Sequence, residues 1–569
     1  MTDRPWLRIY GDLPADPDVP DTTMYESMAD AAATYPRHTA LVYLGRRISY
    51  EVFLAEVERC AAAFLAHGIR PGDSVTLSMP NVPNTVIMFY ALNRIGARAV
   101  MTHPLSSPVE LEHYVRESGS RWAVTVDMFY GRFREVLANT GIEKLVIARF
   151  SDYLSHAKRL GFNITRGRKI DPVPTGDPRI LPWRDFMRAG ADPQAYERRI
   201  DPADSAVVLF SGGTSSLPKG IELSSASFTA LAVSMRAITG LEPGQSVLAI
   251  LPVFHGFGLG LCVHTPLTAG GCSILVPEFS ASIYIDNLIK HSPSFIAGVP
   301  TLFHALLQHP KFAKVSFARL RGAYCGGDSL TSDLKRRFDA ALAAQGASVE
   351  LLEGYGLTEC VTACTLSPPG AYREDSIGIP IPGMRLKVAD PSGEEVPYGE
   401  DGEICVTGPT LMLGYLNEPA ATADTLRSHA DGRVWLHTGD IATMDADGYL
   451  YFKGRQKRLI KVSGFSVFPA QVEQVLEAHP GVRRACVIGT PDDHQVSAVK
   501  AYVVLADDVA DTPQLREDLL AHCRKHLMKW AVPRTLEIRD SLPTTLVGKI
   551  AYTQLEREEA AARGAAGVA

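Results

Sequence analysis

The sequence predicts an α/β protein with a large N-terminal domain of layered α/β sheets, a β-rich subdomain within it, and a small α+β C-terminal domain. Three observations support this prediction. Short β-type runs alternate with helical runs up to about residue 375, short strands and tight turns follow, and a new α+β pattern begins after Gly454. Strands that alternate with helices favour a largely parallel sheet covered by helices.

The first long helix is predicted from Ser49 to His67. Phe53, Val57 and Ala61 recur there at helical spacing, and Gly68 ends the pattern. The β-type run Val75–Ser78 follows, and a second helix is predicted near residues 85–96. Further buried strands are predicted at 206–210, 247–251 and 272–276, with another helix starting near Ser225.

The β-rich subdomain is predicted from short strands bounded by turn sequences. Strands are expected at 385–388, 402–406 and 449–452, and the turns are Asp390–Gly393 and Asp445–Gly448. Beyond Gly454, apolar runs at both strand and helix spacing predict a separate unit of roughly 110 residues. The predicted domains are therefore 1–454 and 455–569.

Composition and charge exclude several classes of protein. The 569 residues are 46% hydrophobic and 21% charged, as in soluble globular proteins, and the net charge of −6 is too weak to indicate nucleic-acid binding. Nine cysteines without a C-x-x-C pair predict reduced thiols and a cytoplasmic location. We expect neither a signal peptide nor a membrane-spanning helix, while peripheral contact with a membrane stays open.

The segment Phe210–Gly220 is rich in glycine and serine. Small residues let backbone N–H groups approach an anion, hydroxyls donate further hydrogen bonds, and Lys219 adds a positive charge. The segment differs from the P-loop of Walker-type NTPases, because Pro218 precedes the lysine and Gly220 follows it. We predict a phosphate-binding loop between a strand and a helix, and the alternative is an ordinary flexible loop.

A second segment, Glu353–Glu359, combines two glycines with three chemically useful side chains. Tyr355 suits the face of a purine ring, Thr358 suits a phosphate oxygen, and Glu359 suits a hard divalent cation. Taken alone, the same residues could form a turn beside a core tyrosine.

Three further residues carry weaker signals when each is considered alone. Asp440 follows the tight turn of Thr438–Asp440, which is a common way to hold ribose hydroxyls but also a common surface turn. Arg455 could fix a phosphate or a ribose, although a charged run is more often a solvated face. Lys549 says little in isolation.

The order of the motifs along the chain is far more specific than any single motif. The series is Ser211–Gly220, Leu251–Gly256, Cys325–Asp328, Gly354–Glu359, Gly402–Gly408, Thr438–Asp440, Gly454–Lys457 and Pro543–Lys549. Over roughly residues 35–555 it resembles the adenylate-forming (AMP-binding) superfamily of acyl-CoA synthetases, peptide-synthetase adenylation domains and luciferases. Within that superfamily it is most similar to the acyl-CoA synthetase branch.

The resemblance implies a reaction in two steps. ATP and a carboxylate, with Mg²⁺, give an acyl-adenylate and pyrophosphate, and coenzyme A then displaces AMP. The residue chemistry agrees, since a carboxylate that attacks an α-phosphate must overcome like-charge repulsion. Such a site needs cations and oriented donors rather than a protein nucleophile.

Site residues are implied by similarity alone. Lys549 would bridge the carboxylate and the α-phosphate, Thr358 would contact the α-phosphate, and His255 would border the acid. The implied ATP-binding residues are Ser211, Gly213, Thr214, Ser215, Lys219, Gly327, Glu353, Gly354, Tyr355, Gly356, Asp440 and Arg455, with Thr214 and Glu359 at the metal.

The resemblance also implies that the small domain is mobile and rotates about a hinge at Lys457. Lys549 then leaves the site, and the segment of Ser463, Gly464 and Phe465 arrives to line a tunnel for the pantetheine arm of coenzyme A. A glycine there permits a close approach of the backbone.

Three positions depart from the usual pattern of the superfamily. Ser216 stands where the phosphate loop usually has glycine, Arg458 stands where the residue after the hinge is usually acidic, and Asp328 follows Gly326-Gly327 where many relatives have alanine. The first bears on the path of the loop, the second on the rotation of the domain, and the third places a carboxylate near the adenine or acyl pocket.

The acyl pocket implied by similarity predicts an apolar acid. Gly256, Gly258 and Gly260 are expected to leave room at its wall, and the His255 segment lacks an aspartate that would bind an amino-acid ammonium group. The pocket residues are His255, Gly256, Val299, Cys325, Gly326 and Leu357.

The principal prediction is a fatty-acid:CoA ligase. The Pro5-Trp6-Leu7 opening and the segment 151–182 resemble those of fatty acyl-CoA ligases. An aryl-acid:CoA ligase, an enzyme that loads a carrier protein, and a non-catalytic ATP-binding relative are the alternatives. The expected partners are a small carboxylic acid, ATP and coenzyme A, with no nucleic acid and no membrane span, and a homodimer is left open.

Overall fold

The strands of the first 380 residues form two sheets. The computed structural model describes residues 4–165, 170, 172–174, 176–190, 199–211, 218–278, 280–462, 465–492, 496–545 and 549–566. The strands are β1 (Thr39–Tyr43), β2 (Arg46–Ser49), β3 (Ser74–Ser78), β4 (Arg98–Thr102), β5 (Trp122–Val126), β6 (Lys144–Ala148), β7 (Ile180–Pro182), β8 (Ser205–Phe210), β9 (Gly220–Ser224), β10 (Ser246–Ala249), β11 (Cys272–Leu275), β12 (Phe295–Gly298), β13 (Gly322–Gly326), β14 (Leu351–Tyr355), β15 (Thr365–Leu366) and β16 (Ile379–Pro380).

Six strands follow in the next 75 residues, and they confirm the predicted β-rich region. They are β17 (Arg385–Ala389), β18 (Gly402–Thr407), β19 (Gly414–Tyr415), β20 (Leu426–Ser428), β21 (Val434–Met444) and β22 (Leu450–Arg455). All of them except β19 form an antiparallel five-stranded sheet in the order β17-β18-β21-β20, with β22 also paired to β21.

The two large sheets are mainly parallel, as the alternation of strands and helices predicted. The nine-stranded sheet has the order β16-β15-β14-β13-β12-β10-β11-β1-β2, and its pairs from β14 to β1 are parallel. The eight-stranded sheet has the order β19-β9-β8-β4-β3-β5-β6-β7, and its pairs from β8 to β7 are parallel.

The helices lie between these strands in the chain. They are α1 (Leu7–Tyr10), α2 (Met24–Thr34), α3 (Tyr50–Ala66), α4 (Pro83–Arg94), α5 (Pro108–Ser118), α6 (Tyr130–Asn139), α7 (His156–Ile164), α8 (Trp183–Arg188), α9 (Ser225–Thr239), α10 (Thr265–Thr268), α11 (Ala281–His291), α12 (Pro300–Gln308), α13 (Ser332–Ala344), α14 (Pro419–Thr425), α15 (Pro469–Glu477), α16 (Pro513–His526) and α17 (Tyr552–Ala566).

Helix α3 confirms the predicted helix and shows why it begins and ends where it does. The Ser49 side chain accepts a hydrogen bond from the Val52 N–H, which satisfies one of the free donors at the helix start. Phe53 and Val57 are fully buried on the inner face. Gly68 follows the last turn with a φ of 87°, a conformation that glycine adopts without a steric penalty.

The helix predicted near Ser225 is confirmed, because α9 begins at that residue. A strand that was not predicted lies between the glycine- and serine-rich segment and this helix. Residues 220–224 form β9, which pairs antiparallel with β8. Ile221 and Leu223 alternate into the core, and this period of two specifies a strand.

The last 110 residues form a separate α+β arrangement. The strands are β23 (Ile460–Val462), β24 (Phe465–Val467), β25 (Val482–Asp492), β26 (Val496–Leu505) and β27 (Thr535–Ile538). Together with α15 and α16 they enclose a core distinct from that of the preceding residues, with Val472, Leu476 and Leu519 fully buried in it. No helix within the described ranges combines the length and the apolar character needed to cross a membrane.

All nine cysteines lie in described positions, and they match the expectation of free thiols. Each is buried and none takes part in a disulfide. Burial raises the pKa of the Cys262 and Cys272 thiols to about 12. A buried, protonated thiol behaves as a small apolar side chain rather than as a nucleophile.

Candidate active site

Two of the predicted segments meet at the carboxyl ends of adjacent parallel strands. Strands β13 and β14 pair in register at Cys325 with Glu353 and at Gly326 with Gly354. The chain turns after β13 at Gly327, whose φ of 84° suits glycine. This edge of an open α/β sheet is where ligands bind in this class of fold, because the loops after the strands converge there.

The loop after β14 is folded tightly on itself and against the His255 segment. A Cβ added to Gly356 would lie 1.4 Å from the Thr362 carbonyl oxygen, and one added to Gly256 would lie 1.6 Å from the Val361 carbonyl oxygen. Val361 itself has a φ of 64°, a costly conformation for a β-branched residue. The two glycines thus fix the loop, residues 356–362, that carries Thr358 and Glu359.

The predicted role of the glycines near His255 was wrong. A Cβ added to Gly256 would collide with Val361. One added to Gly258 would lie 2.2 Å from the Pro252 carbonyl oxygen, and one added to Gly260 would lie 2.8 Å from the Leu231 side chain. These positions allow close packing of a π-helix, Phe257–His264, and leave no room for a substrate.

The other implied acyl-pocket residues surround the same loop. Leu357 and Val299 are half-buried and Cys325 is fully buried. A Cβ on Gly326 would lie 3.4 Å from the ring of Phe257, a residue that sequence analysis had not assigned. The Gly354 carbonyl oxygen is closer, at 3.0 Å, so the surroundings of Gly326 combine one backbone oxygen with an aromatic ring.

Glu353 lies buried at the end of β14 and is held neutral. Its Oε1 accepts a hydrogen bond from the Leu330 N–H at 3.0 Å. Burial raises the pKa of this carboxyl to about 8, the Leu330 hydrogen bond opposes the rise, and the nearby carboxylates of Asp375 and Asp328 add to it. At pH 7 the group is mainly a protonated acid, so it adds no negative charge to this edge of the sheet.

This protonated state predicts a pH-dependent stability. Because the pKa is about 8 in the folded chain and near its ordinary 4.5 in the unfolded chain, the folded state binds the extra proton between these values. Stability is lost there as pH rises, by up to about 1.4 kcal/mol per pH unit. Melting temperatures of Glu353→Gln and wild type should therefore diverge by several degrees in favour of the variant from pH 5 to pH 8, whereas parallel curves would contradict the neutral state.

Asp440 is presented by a bulge in β21. Between Glu403 and Cys405 of β18, one residue faces the three residues Thr438–Asp440 of β21, and such bulges often re-aim a side chain at an active site. The Tyr355 hydroxyl donates to Asp440 Oδ2 at 2.7 Å, and Arg455 Nε lies 3.1 Å from Oδ1. Burial raises the pKa of Asp440, and the Arg455 guanidinium and the Tyr355 hydrogen bond oppose this rise.

The surroundings of Asp440 fit a ribose. Its side chain is 2% exposed, and Oδ1 is buried without a hydrogen bond because Arg455 approaches it off the hydrogen-bonding direction. A buried acceptor that lacks a donor is costly, and a sugar hydroxyl is a suitable donor. The Tyr355 ring lies 6.3 Å from that of Phe452, which together offer an aromatic surface next to this acid.

Tyr415 joins the predicted metal carboxylate to the end of the phosphate loop. Its hydroxyl donates to Glu359 Oε1 at 2.9 Å, and the Lys219 ammonium lies 5.0 Å from its ring centre. Lys219 N–H in turn donates to Ser211 Oγ, which closes the two ends of the loop. Sequence analysis missed Tyr415, because a single tyrosine on a two-residue strand has no local signal.

The donor set around Glu359 fits Mg²⁺. Among the described residues no Lys, Arg or His lies within ion-pair distance of its carboxylate, and only the Tyr415 hydroxyl donates to it, so the carboxylate remains a hard oxygen ligand. Hard oxygen ligands are those that Mg²⁺ takes together with substrate phosphates. Thr214, the second predicted ligand, lies outside the described residues, as do Gly213, Ser215 and Ser216.

The charge of Lys549 acts on His255 and Asp440, and the charge of Arg455 acts on Lys549. The positive charge of Lys549 contributes, after burial, to lowering the pKa of His255 to about 4. Burial and the Arg455 guanidinium lower the pKa of Lys549 itself, while the carboxylates of Asp328 and Asp440 oppose this. The His255 ring is neutral and its Nδ1 accepts from the Phe257 N–H, so Nε2 carries the proton.

Arg484, from the C-terminal residues, forms an ion pair with Asp328 at the edge of this cleft. Arg484 Nη2 of β25 lies 3.1 Å from Asp328 Oδ2, and its Nη1 lies 3.9 Å from Glu477. The carboxylate that departs from the family pattern is therefore paired with an arginine 156 residues later in the chain. Sequence analysis did not identify Arg484, since nothing local marks its partner.

The predicted hinge lies on an exposed turn, and the residue after it belongs to the C-terminal unit. Lys457 is in a 3-10 turn, Gln456–Arg458, between β22 and β23. Arg458 pairs with Glu473 at 2.6 Å and covers the ring of Tyr552 at 4.4 Å. Of the predicted tunnel residues, Ser463 and Gly464 lie outside the described residues, and Phe465 begins β24.

Comparison with known proteins agrees with this arrangement. Residues 28–416 match the family described as AMP-binding enzyme, and residues 471–549 match the AMP-binding enzyme C-terminal domain. The chain is 34% identical to a long-chain-fatty-acid–CoA ligase of Escherichia coli O6:H1 and 31% identical to one of Bacillus subtilis, with at least 97% of each chain covered. The fold matches the anthranilate CoA ligase AuaEII in complex with anthranoyl-AMP, with a TM-score of 0.82, 25% identity and 97% and 99% of the two chains covered. The chain therefore belongs to the AMP-binding enzyme family.

Proposed function

We propose that this chain is an AMP-forming fatty-acid:CoA ligase. The observation that carries the proposal is that the charge of Lys549 acts on both His255 and Asp440, and that Arg455 pairs with Asp440, beside the loop that bears Glu359. This set brings together cations, an acceptor for ribose and a ligand for a divalent cation. It contains no nucleophile, as a reaction between a carboxylate and a bound α-phosphate requires.

In the first step, Lys549 holds two anions together. Its charge acts on both the acid-binding side at His255 and the nucleotide side at Asp440, so it offsets the repulsion between the carboxylate and the α-phosphate. Thr358 lies on the fixed loop 356–362 and donates its hydroxyl to the α-phosphate. Neutral His255 borders the acid and adds no charge of its own there.

The nucleotide is held by residues from three sheets. Asp440 and Arg455 bind the ribose, Tyr355 covers the adenine face, and Glu353, Gly327, Gly354 and Gly356 shape its pocket. Ser211, Gly213, Thr214, Ser215 and Lys219 bind the β- and γ-phosphates. Glu359 and Thr214 hold Mg²⁺, which when bound neutralises phosphate charge.

In the second step, the C-terminal domain, residues 455–569, rotates about Lys457. The exposed position of Lys457 and the anchoring of Arg458 within the C-terminal unit support a hinge between these two residues. Rotation withdraws Lys549 and brings Ser463, Gly464 and Phe465 to the cleft, where they line the path of the pantetheine thiol. One site thereby serves two reactions.

A fatty acid is the proposed substrate. Relatives named long-chain-fatty-acid–CoA ligases cover nearly the whole chain at 31–34% identity. The apolar side chains of Phe257 and Leu357 support this assignment, and the pairing of Asp328 with Arg484 removes the strongest objection to an apolar pocket. An aryl acid is the second candidate, because the fold matches an anthranilate CoA ligase.

A panel of acids tests the substrate assignment. Each methylene that enters an apolar channel contributes up to ~0.8 kcal/mol, so kcat/KM of CoA-dependent AMP formation should rise by up to about fourfold per CH₂ in saturated acids and then fall once the channel is full. Octanoate, decanoate, laurate, myristate and palmitate form the series, and benzoate, cinnamate and anthranilate the comparison.

The panel also separates the alternatives. An aryl acid that exceeds every alkanoate by about tenfold would overturn the fatty-acid assignment and keep the CoA-ligase assignment. Pyrophosphate release without CoA-dependent thioester formation would favour an enzyme that loads a carrier protein.

The free, buried thiols support a cytoplasmic location. Sedimentation with vesicles would test membrane contact, and size-exclusion chromatography would test for a homodimer.

A further inference from the structure

A row of buried and half-buried polar side chains ends at the bulge that presents Asp440. Lys387 Nζ lies 2.8 Å from His429 Nδ1, and His429 Nε2 lies 2.9 Å from His437 Nε2. His437 Nδ1 lies 2.7 Å from Glu403 Oε2, and the Gly439 N–H donates to Glu403 Oε1 at 2.8 Å. Four side chains thus connect an ammonium to one backbone amide of the bulge.

The charge of Lys387 fixes the direction of every hydrogen bond in the row. An ammonium can only donate, so His429 accepts at Nδ1 and carries its proton on Nε2. His437 must then accept at Nε2 and carry its proton on Nδ1, which donates to Glu403. The carboxylate accepts from both sides. Lys387 also donates to the Gly393 carbonyl oxygen at 2.8 Å, which holds the ammonium next to His429.

The bulge needs this support because it interrupts the strand ladder. The Thr438–Asp440 residues face a single residue of β18, so the Gly439 N–H has no partner in that pairing and is satisfied by Glu403. Gly439 has a φ of 69°, and the next residue is Asp440. A backbone amide held by a carboxylate fixes the local chain, and with it the direction of the following side chain.

We propose that Lys387, His429, His437 and Glu403, which together form a hydrogen-bond relay, are positioning residues that hold Asp440 in place for the ribose of ATP. The proposal rests on the assignment of Asp440 to the ribose. It predicts that the relay acts on ATP binding and not on the affinity for the acid.

A metal ion is the competing explanation, since Glu403, Cys405 and His437 offer three ligand atoms within 4.8 Å of one another. The geometry favours the relay. Cys405 Sγ lies 3.6 Å from Nδ1 and 4.0 Å from Nε2 of His437, so it sits over the ring face and not along a nitrogen lone pair. Burial raises the pKa of Cys405 to about 12, and Lys387 adds a positive charge to the same cluster.

The proposed donor and acceptor order of these hydrogen bonds can be tested with variants that reverse it. In Glu403→Gln, the amide can satisfy either Gly439 or His437 but not both, because Lys387 still fixes the two imidazoles. We expect KM for ATP to rise about tenfold, with KM for the fatty acid changed by less than about twofold. In Glu403→Gln/Lys387→Gln, every hydrogen bond can reverse, so KM for ATP should return to within about threefold of wild type.

The pH dependence gives a second measurement on a conservative variant. His429 accepts from Lys387 only while its ring is neutral, so KM for ATP should rise as pH falls from 8 to 5. Burial and then Lys387 and His437 lower the pKa of His429, and Asp431 and a hydrogen bond with the Gly393 backbone oppose this. Arg427, Cys405 and Asp440 are further charged or titratable groups beside the row. Lys387→Gln removes the ammonium, so the rise should begin at a higher pH.

Controls separate a positioning role from a structural one. Lys335→Gln removes another buried lysine, which pairs with Asp339 and Glu350, and it should lower the melting temperature without raising KM for ATP. Asp440→Ala tests the ribose assignment: an unchanged KM for ATP there would overturn that assignment, and with it the proposed function of the site, independently of the relay.

Three results would overturn the relay. The first is a KM for ATP of the double variant that is as high as that of Glu403→Gln. The second is a rise in KM for ATP at low pH that begins at the same pH in Lys387→Gln as in wild type. The third is about one equivalent of zinc that is present in purified wild-type enzyme and absent from Glu403→Gln. Should Glu403→Gln fail to fold, the double variant and the pH profile of Lys387→Gln still decide the question.

Discussion

Replacing Lys549 with alanine is expected to lower the rate of adenylation by ~10² to 10³, which corresponds to about 3 to 4 kcal/mol of transition-state stabilisation. The charge of Lys549 acts on both His255 and Asp440, which border the proposed sites of the two anionic substrates. Thioester formation from a preformed acyl-adenylate should continue, because the proposed rotation removes Lys549 before that step. ATP–pyrophosphate exchange and single-turnover thioester formation measure the two reactions separately.

Lys525→Ala is the matched control, since this exposed lysine lies in the last turn of α16, away from the cleft. It should leave both reactions close to the wild-type rates. Equal losses in the two half-reactions of Lys549→Ala would contradict the assignment of Lys549 to the first step alone.

Replacing Gly256 with alanine should reduce both half-reactions by about 10² or more. The new Cβ would lie 1.6 Å from the Val361 carbonyl oxygen, a distance that only a shift of the loop 356–362 can relieve. A displacement of about 1 Å at a reacting centre can cost ~10² in rate. Thr358 and Glu359 would move with the loop, so KM for ATP should rise as well.

Gly141→Ala is the comparison for that variant, because an added Cβ there meets nothing within 4 Å. It should change neither the rates nor the melting temperature beyond about one degree. Normal activity of Gly256→Ala would show that the loop tolerates displacement. The close contact with Val361 would then not explain why glycine is needed at position 256.

The main architecture followed from local patterns in the sequence. Strand β8 is short and almost fully apolar, and β3 alternates Val75 and Leu77 with serine and threonine. The helices α3 and α4 are amphipathic or buried and begin at a capping position or at proline. Both kinds of signal lie within ten to twenty residues, so they can be recognised without tertiary information. Strand β9 was missed because five residues after a glycine-rich loop are too few to separate a strand from a helix start.

The site could be predicted only where its motifs are local. Asp440, Tyr355 and Arg455 come from separate motifs, and the structure brings all three together. Arg484 and Tyr415 could not be found in this way, because each acts through a partner far away in the chain. The glycines around His255 were wrongly predicted to leave space in the pocket. In a sequence, a glycine is as compatible with close packing as with open space.

The ion pair between Asp328 and Arg484 makes two properties of the enzyme depend on one carboxylate. Asp328 follows the Gly326-Gly327 turn at the pocket edge, while Arg484 moves with the C-terminal unit in the proposed rotation. A change at position 328 during evolution would therefore alter the pocket and the balance between the two domain orientations together. Substrate preference and turnover in this chain are then under joint selection, and residues 328 and 484 should vary as a pair among its descendants.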